Sequence, residues 1–175
     1  MPQSQLLKKQ EALTSRRAAL LADRIEEGAA ALAAFAETLT ETEWRTPTSS
    51  GNDRRPVGVI VHHVASMYPI EIDVVRAVAG GKPVIDVTWE VVAGINANHA
   101  GENSAITKAA ALELLRRNSR DAADAVRSLT DDELDQAAPF GLSFGAPVTT
   151  QFVIEDHPLR HSWHHLARIK KAVGR

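Results

Sequence analysis

The sequence predicts an all-α fold, a four-helix bundle with additional short helices, and three observations carry that expectation. Four long segments place apolar or small residues three and four positions apart, the spacing of one helix face. Glycine and proline cluster between those segments and punctuate them. The stretch Leu39-Thr40-Glu41-Thr42-Glu43-Trp44 is echoed by Leu129-Thr130-Asp131-Asp132-Glu133-Leu134, each having capping-box spacing and following a long helix. Two helix pairs of this kind bury their faces on each other as a bundle.

At 175 residues the chain is long enough for one core, and no composition shift or long linker divides it, so residues 1–175 are expected to be a single domain. The formal net charge of -2 provides no basic field for nucleic acid. With no cysteine, disulfides and thiolate ligands are ruled out, and any metal must be held by nitrogen and oxygen. Lys8 and Lys9 are followed by no apolar run, and no segment approaches a membrane span, so the expected location is the cytoplasm.

Helix one starts between Gln5 and Ser15 and shows the stripe Leu21, Ile25, Gly28, Leu32, Phe35 and Leu39. Gly28 within that stripe is expected to let another backbone approach. The Thr40 turn carries Trp44, and a loop runs from Pro47 through Ser49-Ser50-Gly51-Asn52-Asp53. Helix two opens at Pro56 and closes at Gly80-Gly81. Its Ile60, His63, Met67, Val74 and Val78 form one face and Val57, Val61, Val64, Tyr68 and Val75 another, so it is expected to be the central, doubly buried helix, kinked or shifted in phase at Pro69.

A shorter helix follows from Thr88 to His99, with Trp89, Val92, Asn96 and His99 at helical spacing. A long amphipathic helix begins at Ser104 or Thr107 and carries Leu112, Leu115, Ser119, Ala122, Val126 and Leu129. After the second capping box, the loop from Pro139 to Pro147 leaves a small hairpin open as one alternative. Thr149 or Thr150 caps the last helix, which runs to about Val173.

That last helix contains Arg160-His161-Ser162-Trp163-His164-His165-Leu166, with three of the seven histidines in about a turn and a half. His161 and His165 lie four apart and can reach one point. Taking Leu159, Leu166, Ile169 and Val173 as the core direction puts His165 on the core face, His161 on its flank and His164 opposite. On helix two His63 shares the Ile60, Met67 and Val74 stripe and becomes the third ligand, with His62 turned about 100° away. Three imidazoles on two rigid helices leave a divalent ion, zinc or nickel, a position open to water or substrate. Such an ion can activate a bound water or thiol, and any thiolate must come from a substrate. His99 reads as a capping or loop residue, with a pocket-lining role beside Asn96 as the alternative, and His157, just before Pro158, as part of a kink or a helix start. Glu71 reads better as a solvated carboxylate than as a partner of a ligand, and Arg160, Arg168, Lys170 and Lys171 suit the helix dipole.

The run Pro56-Val57-Gly58-Val59-Ile60-Val61-His62-His63-Val64-Ala65, the Leu39 to Trp44 turn and the segment His161 to Leu166 together resemble the DinB/YfiT-like metalloenzyme family. The resemblance covers most of the chain and matches least from Lys82 to Glu102. It implies a DinB-like four-helix bundle, often a homodimer, with a divalent metal on His63, His161 and His165. It further implies a small-molecule substrate and, as in some members, S-transfer or isomerisation that uses a thiol such as mycothiol, bacillithiol or glutathione. The competing expectation is a non-enzymatic bundle that binds a small ligand or a partner, its histidines serving core hydrogen bonds.

Overall fold

The computed structural model describes residues 15–48 and 53–175. The part of the expected first helix before Ser15 and the loop residues Ser49 to Asn52 lie outside them.

Helix α1 spans Arg16–Glu37, and the Ser15 hydroxyl accepts from the Ala18 amide to cap it. Its buried stripe includes Leu21, Ile25, Gly28, Leu32 and Ala36. What approaches Gly28 is a side chain rather than the expected backbone: a Cβ there would lie 2.7 Å from Trp163 Nε1. The short helix α2 (Glu41–Trp44) begins with the expected capping box between Thr40 and Glu43, and its buried Trp44 donates to the Ile106 carbonyl at 3.2 Å.

Helix α3 (Val57–Ala79) is buried on two sides, with Pro56 as its N-cap and Gly81 in the left-handed region (φ 69°) after its end. Pro69 lies inside α3 and cannot donate to the Ala65 carbonyl. Asn118 supplies that missing donor from another helix, its Nδ2 standing 2.8 Å from Ala65 O. Helix α4 (Trp89–Glu102), capped by Thr88, packs mainly on α3 and buries only His99. Helix α5 (Lys108–Arg127) is capped by Thr107, and α6 (Asp131–Asp135) starts with the second capping box, Thr130 and Glu133.

The loop left open by the sequence is a hairpin, β1 (Ala137–Pro139) antiparallel to β2 (Pro147–Thr149), with Ala138 opposite Val148. Thr149 then caps α7 (Thr150–Ile154), which passes through a π-helical turn, Glu155–Leu159, into α8 (Arg160–Ala172). Pro158 lies within that turn, whose longer-range bonds absorb the N–H that proline lacks.

Helices α1 and α3 occupy a diagonal of the bundle, each packed against both α5 and α8. The buried hydroxyls of Tyr68 and Ser162, 2.7 Å apart, tie α3 to α8 deep in the core. This contact holds the His63 helix against the His161 and His165 helix.

Candidate metal centre

His63 on α3 and His161 and His165 on α8 converge, with one ring nitrogen from each lying within 4.8 Å of the others. His63 and His165 are 4% and 5% exposed, while His161 is more open to the cavity beside it. Nε2 of His161 stands 3.2 Å from Nε2 of His63. Burial, reinforced by the neighbouring His161, holds the His63 imidazole far below its ordinary pKa, and the same two causes act on His165. Both rings are therefore neutral at physiological pH, the state that leaves a nitrogen lone pair free.

The histidines are fixed from behind. Glu71 Oε1 lies 2.7 Å from His161 Nδ1, and because a carboxylate only accepts, Nδ1 carries the hydrogen and Nε2 presents its lone pair. Glu71 is one of α3's residues, two turns beyond His63, and both it and His161 are largely buried (13% and 14% exposed side chains). The solvated carboxylate expected at Glu71 is thus corrected: α8 passes close enough to cover it, and Pro69 does not turn it away. Arg168, expected to serve only the helix dipole, donates from Nη2 to Asp53 Oδ2 at 2.8 Å and brings Nη1 within 3.5 Å of His165 Nδ1. Asp53 also receives Arg55 through Nε and Nη2. Burial alone would raise the Asp53 carboxyl, but the bonds from Arg55 and Arg168 pull it well below the carboxylate range.

His99 is not a cap. It is buried, and its Nε2 lies 2.9 Å from His62 Nδ1 with the two rings stacked at 5.0 Å. Burial, then His62 and Arg55, lower its pKa to about 4. His157 does lie in an irregular turn, as expected, and packs edge-on to Phe140. His164 is exposed and is not one of the three converging residues, yet it lines the same cavity as His63, His161 and His165. That cavity holds about 340 Å³ and is walled by α3, α4, the hairpin loop and α7–α8.

The family model of the DinB superfamily matches residues 24–169, a range that includes all three converging histidines. The chain belongs to the DinB superfamily. Among solved structures it is similar to YfiT from Bacillus subtilis, described as a probable metal-dependent hydrolase with an unusual four-helix bundle topology. The TM-score is 0.73 at 20% identity, over 92% of this chain and 89% of that one, a likeness of fold. No match was found among curated protein sequences.

For this DinB superfamily chain, the donor set fits a divalent ion. Two nitrogens bound tetrahedrally at zinc distances lie roughly 3.3 Å apart, close to the 3.2 Å between the Nε2 atoms of His161 and His63. Buried Nδ1 of His63 and Oε2 of Glu71 have no hydrogen-bond partner among the described residues, so the cluster is not closed as an internal network. Sequence spacing could select the three histidines but not Asp53, Arg55 or the Glu71 contact. Those depend on how a loop and two helices dock, and only the placement of Glu71 eight residues after His63 on one helix hinted at it.

Proposed function

We propose that this protein is a divalent-metal-dependent enzyme acting on a small molecule, with His63, His161 and His165 as the ligands of zinc or nickel. The observation that carries the reading is the convergence of three imidazole nitrogens within 4.8 Å, one of them held in its tautomer by Glu71. When bound, the ion supplies Lewis acidity and lowers the pKa of a nucleophile at its open position. Glu71 holds the proton on Nδ1 of His161 and keeps that ring in place. His164 lines the cavity outside the ligand set, and partial desolvation there, then Arg168 and Arg160, lower its pKa, so a neutral imidazole is available to take the nucleophile's proton. The apolar walls of the cavity limit the water that competes for the site.

The nucleophile separates two reactions. Water makes the enzyme a hydrolase, the activity that YfiT's description names. A low-molecular-weight thiol such as mycothiol makes it an S-transferase or isomerase, and the cysteine-free chain requires that such a thiolate enter with a substrate.

The test begins with metal content of untagged protein, purified alongside His165→Ala. The expected result is about one zinc or nickel per chain in the parent and little in the variant; equal content in both would refute the site. The metal-loaded protein is then assayed for ester and amide hydrolysis and for thiol consumption with electrophiles. His164→Gln should retain the metal while losing roughly 10²-fold or more in turnover. If metal removal changes neither melting temperature nor ligand binding, the protein is a binding bundle and not a metalloenzyme.

A further inference from the structure

The cavity is not uniform around the histidines. Its lining on α3 runs from His63 through Met67 and Ile70 to Val74, the i, i+4, i+7, i+11 pattern of one helix face. Chain connectivity and the His62–His99 contact run α4 back along α3, so Ile95, Val92 and Trp89 form the opposite wall in the reverse order. Phe140 and Leu142 of the hairpin loop lie beside Trp89, whose Nε1 donates to the Leu142 carbonyl at 3.2 Å, and the His157 ring packs edge-on against Phe140. Polar groups gather at the cluster end: Glu71 is bonded to His161, and Arg55 to Asp53. The α3 and α4 walls present mainly hydrocarbon, from Met67, Ile70, Val74, Val92 and Ile95, while Glu71 and Asn96 on those helices and Asp156, His157 and Arg160 on the α7–α8 side add polar groups along the slot.

Two of these wall residues are poorly covered. Ile70 is 44% exposed and Trp89 55% exposed, although both line a cavity that otherwise reaches into the core. A volume of about 340 Å³ is too small for a helix, whose diameter with side chains is about 10 Å. It suits a slender molecule lying along α3.

We propose that the slot between α3 and α4 binds the tail of a ligand that has one polar, metal-coordinating head and an unbranched apolar chain. The length follows from the wall. Met67 to Val74 covers about 10 Å of helix, which accommodates roughly six to eight carbons in extended form. The head lies at His63, His161 and His165, and the tail covers Ile70 and Trp89. An acyl or alkyl compound meets that description; a sugar or a polyanion sets polar groups against Met67, Ile70, Val74, Val92 and Ile95. Only the placement of the head rests on the proposed metal site, because the tail is recognised by the apolar residues of α3, α4 and the hairpin loop, none of them a metal ligand.

The experiment measures binding of n-alkyl hydroxamates, from acetohydroxamate to octanohydroxamate, by Trp fluorescence and calorimetry, on metal-loaded and chelator-stripped protein. Each methylene buried is expected to tighten binding about fourfold until the slot is full. Stripping the metal should weaken every member by a common factor without changing that dependence on length. Val92→Asp and Ile95→Gln, each checked for folding by circular dichroism, should flatten the length dependence and leave acetohydroxamate binding unchanged. A flat or declining series in the parent protein overturns the slot, as does an undiminished length dependence in both folded variants. Loss of only the metal-dependent factor would refute the metal reading and leave the slot standing.

Discussion

Replacing Glu71 tests whether the carboxylate behind His161 is part of the metal site or merely buried beside it. In Glu71→Ala, the Nδ1 hydrogen of His161 loses an acceptor at 2.7 Å in a region where both side chains are more than four-fifths buried. Leaving such a donor unpaired costs about 1–3 kcal/mol, and for a chain of this size each kcal/mol lowers the melting temperature by about 2–4 °C. The metal-free variant should therefore melt a few degrees, up to about 10 °C, below the parent. Losing the partner that orients a ligand typically weakens metal binding by 10–100-fold, or about 1.4–2.8 kcal/mol. Glu71→Gln keeps an oxygen able to accept from Nδ1 but removes the charge, so its loss should be smaller in both measurements. Competition for zinc against a chromogenic chelator gives the affinities, and thermal melts of stripped protein give the stabilities. Parent-like zinc affinity in both variants would refute the coupling between Glu71 and His161, even if the melting temperatures fell.

Asn118→Ala removes the donor that serves the Ala65 carbonyl opposite Pro69, and urea unfolding should show a loss of roughly 1–3 kcal/mol. Asp53→Asn breaks the carboxylate shared by Arg55 and Arg168; with all three groups partly buried, the expected cost is roughly 1–3 kcal/mol at neutral pH. Because the folded-state pKa of Asp53 is depressed, its contribution is fully present above the unfolded value of about 3.9 and is lost as pH falls toward the folded value. The stability gap between parent and Asp53→Asn should accordingly be constant from pH 7 to about 5 and shrink below about 4. Inserting one alanine between Leu159 and Arg160, where the π-turn passes into α8, should rotate α8 by about 100° relative to α7, so metal content should fall while the circular dichroism spectrum keeps its helical form.

The long helices were legible because burial imposes a period on the sequence: α1 and α5 carry their apolar residues where the periodicity puts them, and Thr40 and Thr130 both start their turns through capping boxes. The same reasoning selected His63 over His62 and His165 over His164, since the chosen residue of each pair is buried. It failed where the outcome depends on which helices become neighbours. Gly28 signals close approach, but only the docking of α8 against α1 makes the visitor Trp163. His99 has the local spacing of a capping residue, and its burial comes from α4 folding back onto His62. Arg168 sits where a helix dipole suits it, while its partner Asp53 is more than a hundred positions away.

The last helix contains a more instructive case. Thr150, Ile154, Pro158, Ser162 and Leu166 are all buried, a run of fours that no regular α-helix can keep on one face. Sixteen positions separate Thr150 from Leu166, and at about 100° per residue they turn about 1600°, roughly 160° away from a whole number of turns. One additional residue in a wider turn removes about 100° of that drift. The π-turn at Glu155–Leu159 makes this correction where Pro158 already prevents the usual bond. With the phase restored, α7 can bury Val153 and Ile154 while α8 buries Ser162 and presents His165 to His63. The same adjustment explains why Leu159, used to define the core direction from sequence, is only half-buried, while Pro158 next to it is buried. A proline that looks like a flaw in the helix is thus what lets one continuous segment anchor in the core at its start and supply two imidazoles further along.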